Sequence, residues 1–185
     1  MSRYTGRHDG SLVEIIHVIF HSGLSTAQRG QGSYVVVGGI ATILHGYVRA
    51  TADVDLVVDL HAEEVKKAVR ALTAYGFKPR APVDPMQFAD AAQRARWIEE
   101  KGMEVFSFFH PDHAEQTVDL FARHPIPFEP LWSRSVLMNL GGVEVRVCSI
   151  DDLIEMKRLS GRQKDLADIE QLARIKGYGK QSENE

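Results

Sequence analysis

The chain has 185 residues, 44% hydrophobic and 25% charged, with 22 Lys+Arg against 25 Asp+Glu for a net charge of −3. That length suits one domain able to bury its own core, and the slight acid excess excludes a protein that coats nucleic acid nonspecifically, so any such contact needs a local basic patch. The single Cys148 excludes an intramolecular disulfide framework and an all-cysteine zinc site, and fits a reducing, cytoplasmic setting.

No apolar run reaches about 18 residues, so no membrane span is expected. Met1 to Gly10 is polar and lacks a signal-peptide core. Leu12, Ile15, Ile16, Ile19, Phe20 and Leu24 recur at helical spacing and predict an amphipathic helix over 12–24, followed by a loop at Arg29–Ser33. Tyr34 to Val37 is a short apolar, β-branched run suited to a buried strand. It ends at Gly38-Gly39, before a short apolar helix from Ile40 to His45 that stops at Gly46. Asp53 to Asp59 reads as the next strand. Residues 62–75 read as a helix, with Glu63 and Glu64 in its first turn, Lys66, Lys67 and Arg70 later, and Gly76 past its end.

Pro82 and Pro85 obscure residues 81–102, where Ala89 to Glu100 reads as a helix with an exposed arginine face. Residues 103–109 and 116–121 predict two strands, and residues 135–148 a hairpin around Gly141-Gly142. Ser149 and Asp152 resemble a capping box opening a helix to Ser160. Gly161 breaks it, a second helix covers Gln163 to Lys176, and the polar tail from Gly177 should fray. The order α-β-α-β-α, then strands, then helices, predicts an α+β fold with a mixed sheet and helices packed against it.

The sharpest chemical feature is Asp53 with Asp55. Residues i and i+2 on a strand share a face, with Cβ atoms about 6–7 Å apart. Two carboxylates flanked by Val54, Leu56, Val57 and Val58 repel each other and are costly to desolvate. A divalent cation with oxygen ligands removes that penalty, and Mg²⁺ favours a few carboxylates plus substrate phosphates. A turn-ending Asp53 and a salt-bridged Asp55 would explain the pair without any metal, since such short patterns recur by chance. One strand earlier, Gly38-Gly39 could let backbone N–H groups approach phosphate oxygens, or could simply make a tight turn. It matches neither the dinucleotide nor the P-loop fingerprint.

Residues 35–59, VVVGGIATILHGYVRATADVDLVVD, resemble the signature of the polymerase-β-type nucleotidyltransferase superfamily: an apolar strand, Gly-Gly or Gly-Ser, a short helix, then Asp-x-Asp. The later QTVDLF offers Asp119 as the family's third carboxylate, and residues 151–172 resemble small bacterial members, among them abortive-infection-type nucleotidyltransferase toxins. The resemblance implies a nucleotidyltransferase core over 34–148, preceded by an N-terminal helix and loop over 1–33 and followed by a helical segment over 149–185, as one domain. It implies that Asp53, Asp55 and Asp119 bind Mg²⁺ or Mn²⁺ and are catalytic. Gly38 and Gly39 would cradle phosphates, with Arg49, Thr51, Lys157 and Lys164 as further nucleotide-binding residues.

The implied reaction moves a nucleoside monophosphate from an NTP to a hydroxyl of RNA (tRNA included), protein or a small molecule, with an antitoxin as a partner if the enzyme is a toxin. A catalytically inactive regulatory or partner-binding module on the same fold is the alternative, and a sugar-nucleotide glycosyltransferase with its own D-x-D a more distant one. Asp165 and Asp168 read as holding the helical segment rather than a metal. His110-Pro111-Asp112-His113 reads as a loop between strands, Asp59 as a helix cap, and Cys148, Trp97 and Trp132 as packing residues. His45, at a helix end, reads as an imidazolium suited to the dipole.

Overall fold

The computed structural model describes residues 34–51, 53–140 and 143–182. The helix expected over 12–24 and the loop at 29–33 lie outside them. Tyr34–Val37 forms β1, with all four side chains buried. Gly38–Leu44 forms α1 directly after it, so the helix begins at the glycine pair rather than at Ile40, with Gly38 at a left-handed φ of +63. Asp53–Val58 is β2 and Ala62–Ala74 is α2. Glu63 and Glu64 open α2, but no basic residue lies in its last turn. Lys66 and Lys67 instead pair with those glutamates one turn back, at 2.7 and 2.6 Å.

Three elements follow that the prolines hid or blurred. Lys78–Pro79 makes a two-residue β3, Pro85–Ala89 a 3₁₀ turn capped by Asp84, and Ala91–Lys101 the helix α3 capped by Asp90. The expected arginine face of α3 is corrected at one position. Arg94 turns inward, donating to the carbonyls of Phe88 at 2.7 Å and Leu60 at 3.1 Å. Two backbone oxygens satisfy its guanidinium, which makes its burial tolerable. Val105–His110 is β4 and His113–Phe121 is β5, joined by a tight turn at Pro111-Asp112. Phe128–Arg134 forms α4, unread in the sequence because Pro127 and Pro130 mask its first turn.

Val136–Leu140 (β6) and Val143–Val147 (β7) pair as the expected hairpin. Ser149 caps Ile150–Ser160 (α5), accepting from the Asp152 N–H at 3.1 Å, and Gly161 ends it at φ +62. Gln163–Ser182 is α6, which runs on past the Lys176 end expected for it.

The seven strands form one mixed sheet in the order β3-β4-β5-β2-β1-β7-β6. β1 and β2 are antiparallel, while β2/β5 and β1/β7 are parallel. The chain is therefore α+β, as its element order predicts. Alternation along the strands separates two faces. Val54 and Leu56 of β2, Val118 and Leu120 of β5, and Phe106 and Phe108 of β4 are all buried. Phe88 and Trp97 stack on Phe106, with ring centroids at 4.8 and 5.5 Å, so the 3₁₀ turn and α3 cover this face. The other face of the same strands carries Asp53, Asp55, Thr117, Asp119 and Ser107. Among the described residues no helix is long and apolar enough to cross a membrane.

Candidate active site

Register brings the distant acids together. β2 and β5 run parallel with Asp53 opposite Thr117 and Asp55 opposite Asp119, and β4 places Ser107 opposite Asp119. Neighbouring strands lie about 4.8 Å apart, and opposed residues share a face. Asp55 and Asp119, 64 positions apart in the chain, are thus side by side, with Asp53 two residues along the same row. Their electrostatics record the crowding. Burial, then the Asp119 charge and in smaller part Asp53, push the Asp55 carboxyl up to about 6, against the Gly39 N–H hydrogen bond, which lowers it. Burial also raises Asp119, against the Ser107 hydroxyl bonded to its carboxylate.

Gly38 lies against this pair for a steric reason. It sits at φ +63, and a Cβ there would meet Asp55 Oδ2 at 1.9 Å. Val37 offers α1 no side-chain cap. The Gly39 N–H donates instead to Asp55 Oδ2 at a long 3.4 Å, so a strand carboxylate serves an orphan donor of the first helical turn. A Cβ on Gly39 would lie 2.5 Å from Thr51 Oγ1 and 2.8 Å from Arg49 Nη2. Gly38, Gly39, Arg49, Thr51 and Asp55 therefore meet at one edge of the acidic row.

The two lysines fare differently. Lys157 is 6% exposed, and its Nζ lies 2.6 Å from Asp168 Oδ2 and 3.6 Å from Asp165 Oδ1. Asp168 Oδ2 also lies 3.5 Å from Arg49 Nε. The ammonium is thus engaged within the α5–α6 hairpin, and Asp168 links that hairpin to Arg49. Ser160 Oγ donates to Asp165, so both aspartates bind the hairpin together. Lys164 is exposed in the first turn of α6.

Three lesser readings meet the structure as follows. Asp59 is not a helix cap: His61 occupies that position, and Asp59 Oδ1 accepts from its backbone N–H at 3.1 Å and contacts its ring at 2.5 Å. The surroundings of His45 work against the charged form expected of it. Burial lowers its pKa, and Nε2–H donates to the Cys148 carbonyl at 2.7 Å. Cys148 is buried and free, and Trp97 packs in the core.

Two arginines and two hydroxyls complete the surroundings. Arg162, placed by Gly161, lowers both Asp55 and Asp119 through its charge while lying 3.6 Å from Glu104. Arg80 donates its backbone N–H to the Ser107 carbonyl at 2.9 Å and its Nη2 to Thr117 Oγ1 at 3.0 Å. It too lowers Asp119. Nothing local in the sequence marks Arg80, because its neighbours lie on β4 and β5, far along the chain.

As placed, no group of three or more His, Cys, Asp or Glu side chains among the described residues has the geometry to hold a metal ion. The donor chemistry nevertheless fits a hard cation. Asp119 Oδ1 is buried with no hydrogen-bond partner among the described residues. Asp55 and Asp119 are both raised in pKa on a surface where a cation would relieve burial and repulsion together.

No curated protein matches the chain. Among solved structures it is similar to the lincosamide antibiotic adenylyltransferase LnuA in its lincomycin-bound form, at 16% identity, covering 77% of this chain and 87% of that one, with a TM-score of 0.48. It is also similar to an antigenic nucleotidyltransferase-like protein from Paracoccidioides brasiliensis, at 20% identity, covering 77% and 68%, with a TM-score of 0.48. A family model described as "Nucleotidyltransferase of unknown function (DUF6036)" matches residues 12–177, nearly the whole chain, and the protein with this pair of acids on the central strands belongs to that nucleotidyltransferase family.

Proposed function

We propose that the chain is a metal-dependent nucleotidyltransferase that moves a nucleoside monophosphate from an NTP to a hydroxyl acceptor. The observation that carries this reading is the juxtaposition of Asp53, Asp55 and Asp119 on one sheet face, beside Gly38 and Gly39. The three carboxylates would hold Mg²⁺ or Mn²⁺, which when bound supplies positive charge to the triphosphate and to the attacking and leaving oxygens.

The chain's own residues would do the rest. Gly38 and Gly39, lacking Cβ atoms, let Asp55, Thr51 and Arg49 close on the start of α1, and a polyphosphate would meet the glycine backbone between the acids and the Arg49 and Thr51 side chains. Asp168 fixes the Arg49 guanidinium, so Lys157 acts on the nucleotide through Asp168, while Lys164 offers charge from the surface of α6. The acceptor oxygen forms its bond to the α-phosphorus. The bond from that phosphorus to the α,β-bridging oxygen breaks, pyrophosphate leaves, and the hydroxyl proton passes to Asp119 Oδ1. Most of the rate in such chemistry comes from positioning and charge neutralisation. An NTP-consuming enzyme needs an NTP pool, which supports a cytoplasmic location in this reading.

The test uses NTPs labelled at the α-phosphate, with Mg²⁺ or Mn²⁺ and a mixed pool of RNA, protein and small hydroxyl acceptors. Label should enter an acceptor and fall by about a hundredfold or more in Asp53→Ala, Asp55→Ala and Asp119→Asn. Transfer that survives Asp55→Ala, or label that enters the acceptor from a γ-labelled NTP in a parallel assay, overturns the reading. Nucleotide binding unchanged by Asp119→Asn, with no transfer at all, would identify the inactive binding module. A toxin role rests on the C-terminal resemblance alone. It predicts growth arrest on expression that Asp55→Ala abolishes and an antitoxin relieves.

A further inference from the structure

The acidic row has two flanks. On the β1 side stand Gly38, Gly39, Arg49 and Thr51. On the β4 side stand Ser107, Phe109, Thr117 and Arg80. Strand order puts β2 and β5 between β1 and β4, so those two strands are about three spacings, or about 15 Å, apart, with the Arg80 guanidinium reaching over β5 to Thr117. One flank suits the triphosphate in the reading above. The other is then where an acceptor must come to reach Asp119.

Arg80 is built into that second flank. Its backbone is tied to Ser107 at 2.9 Å, and Nη2 donates to the buried Thr117 hydroxyl at 3.0 Å. The guanidinium carbon lies 5.5 Å from the centre of the Phe109 ring. Thr117 and Phe109 face each other across β4 and β5, and Thr117 also faces Asp53. The guanidinium is thus orientated on two sides while the residue stays exposed, and among the described residues no carboxylate forms an ion pair with it. Guanidinium carries five N–H donors in a planar fork, and a fork fixed in place loses little entropy on gripping an oxyanion. Its charge reaches Asp119 without bonding to it.

We infer that Arg80 binds the acceptor, and that the acceptor is a hydroxyl compound bearing a phosphate close to the reacting oxygen. A neutral acceptor would gain only an ordinary hydrogen bond from this guanidinium, an oxyanion gains a charge-assisted one about twice as strong, and a cationic acceptor would be repelled. The inference rests on the transferase reading for the identity of the flank, but the contact itself can be measured without turnover. Two sources share this chemistry: the terminal phosphodiester of a short RNA with a free 3′-hydroxyl, and a small sugar phosphate.

The experiment titrates a fluorescent RNA oligomer, and separately ribose 5-phosphate, into wild type, Arg80→Gln and Arg80→Lys without NTP. The same acceptors and their phosphate-free counterparts are then compared in transfer assays. Arg80→Gln should weaken binding of one probe by about tenfold, the loss of a charge-assisted contact, with Arg80→Lys intermediate. Its KM for NTP should stay at the wild-type value, and its melting temperature should fall by no more than loss of the Thr117 hydrogen bond explains, whereas a merely structural arginine would leave probe binding unchanged once the protein is folded. Binding of both probes that is equal in wild type and Arg80→Gln, or absent from wild type, overturns the inference. So does an Arg80→Gln defect that appears in the KM for NTP. Arg80-dependent binding without any label transfer keeps this contact and removes the transferase reading, so the two failures are distinguishable.

Discussion

Gly38 shows how little freedom the site leaves a single residue. Its φ of +63 lies in the left-handed region, and the space a methyl group would need is filled by Asp55 Oδ2. Gly38→Ala must therefore strain the backbone and displace a carboxylate central to the proposed chemistry. It should destabilise the fold by about 1–3 kcal/mol in chemical denaturation and remove label transfer. Gly46→Ala is the control, because Gly46 has φ +104 with open space where the Cβ would go. It should carry only the backbone strain, about 1 kcal/mol, and keep transfer. Equal activity in the two variants would show that the Gly38–Asp55 approach is irrelevant to the reaction. The glycine pair and the D-x-D acids were legible as residues. Their contact was not, because it depends on the antiparallel pairing that puts Val37 opposite Asp55.

The α5–α6 hairpin acts as a clamp made of buried charge. Lys157, Asp165 and Asp168 are 6%, 5% and 2% exposed, and Arg49 joins them from the segment before β2. Two cations and two carboxylates balance in sign, which is the condition under which such a group tolerates burial. Lys157→Met would leave two buried carboxylates with Arg49 alone. It should lower stability by about 3–5 kcal/mol. Adding Asp168→Asn should restore part of that loss, since the second change removes one of the stranded charges. Denaturant midpoints of the wild type, both single variants and the double variant measure this. A Lys157→Met protein within about 1 kcal/mol of wild type would remove the clamp. The capping Ser149, the Gly161 break and the two helices were readable from local chemistry. The partnership of Lys157 with Asp168 was not, because by sequence Lys157 and Lys164 alike are expected on the nucleotide, and only the packing of the two helices buries Lys157 while leaving Lys164 exposed.

For the whole molecule, the acidic row ties folding to pH. The Asp55 pKa is about 6 in the fold against an ordinary 3.8. Between those values the folded chain keeps the Asp55 proton more often than the unfolded chain does. Stability of the metal-free protein therefore falls as pH rises through this window, and the deficit is complete above about pH 6. Asp55→Asn, which cannot ionise, should lack that part of the slope. At pH 7.5 without metal it should exceed wild type by about 3 kcal/mol, and the gap should close toward pH 4. A wild-type-minus-variant difference in melting temperature that is flat across this range would show that burial does not strain Asp55. By itself the sequence determined most of the strands and helices and set Asp53 and Asp55 on one face of a strand, because alternation, capping and punctuation are properties of adjacent residues, while Asp119 was offered only by the family resemblance. The sequence left β3 and α4 unread where prolines interrupt the pattern. Only the tertiary structure decided that Asp119 stands beside Asp55, that Lys157 is interior and that Arg80 borders the acids. Each of those facts is set by strand register or helix packing between segments far apart in the chain, and no local pattern encodes such a pairing.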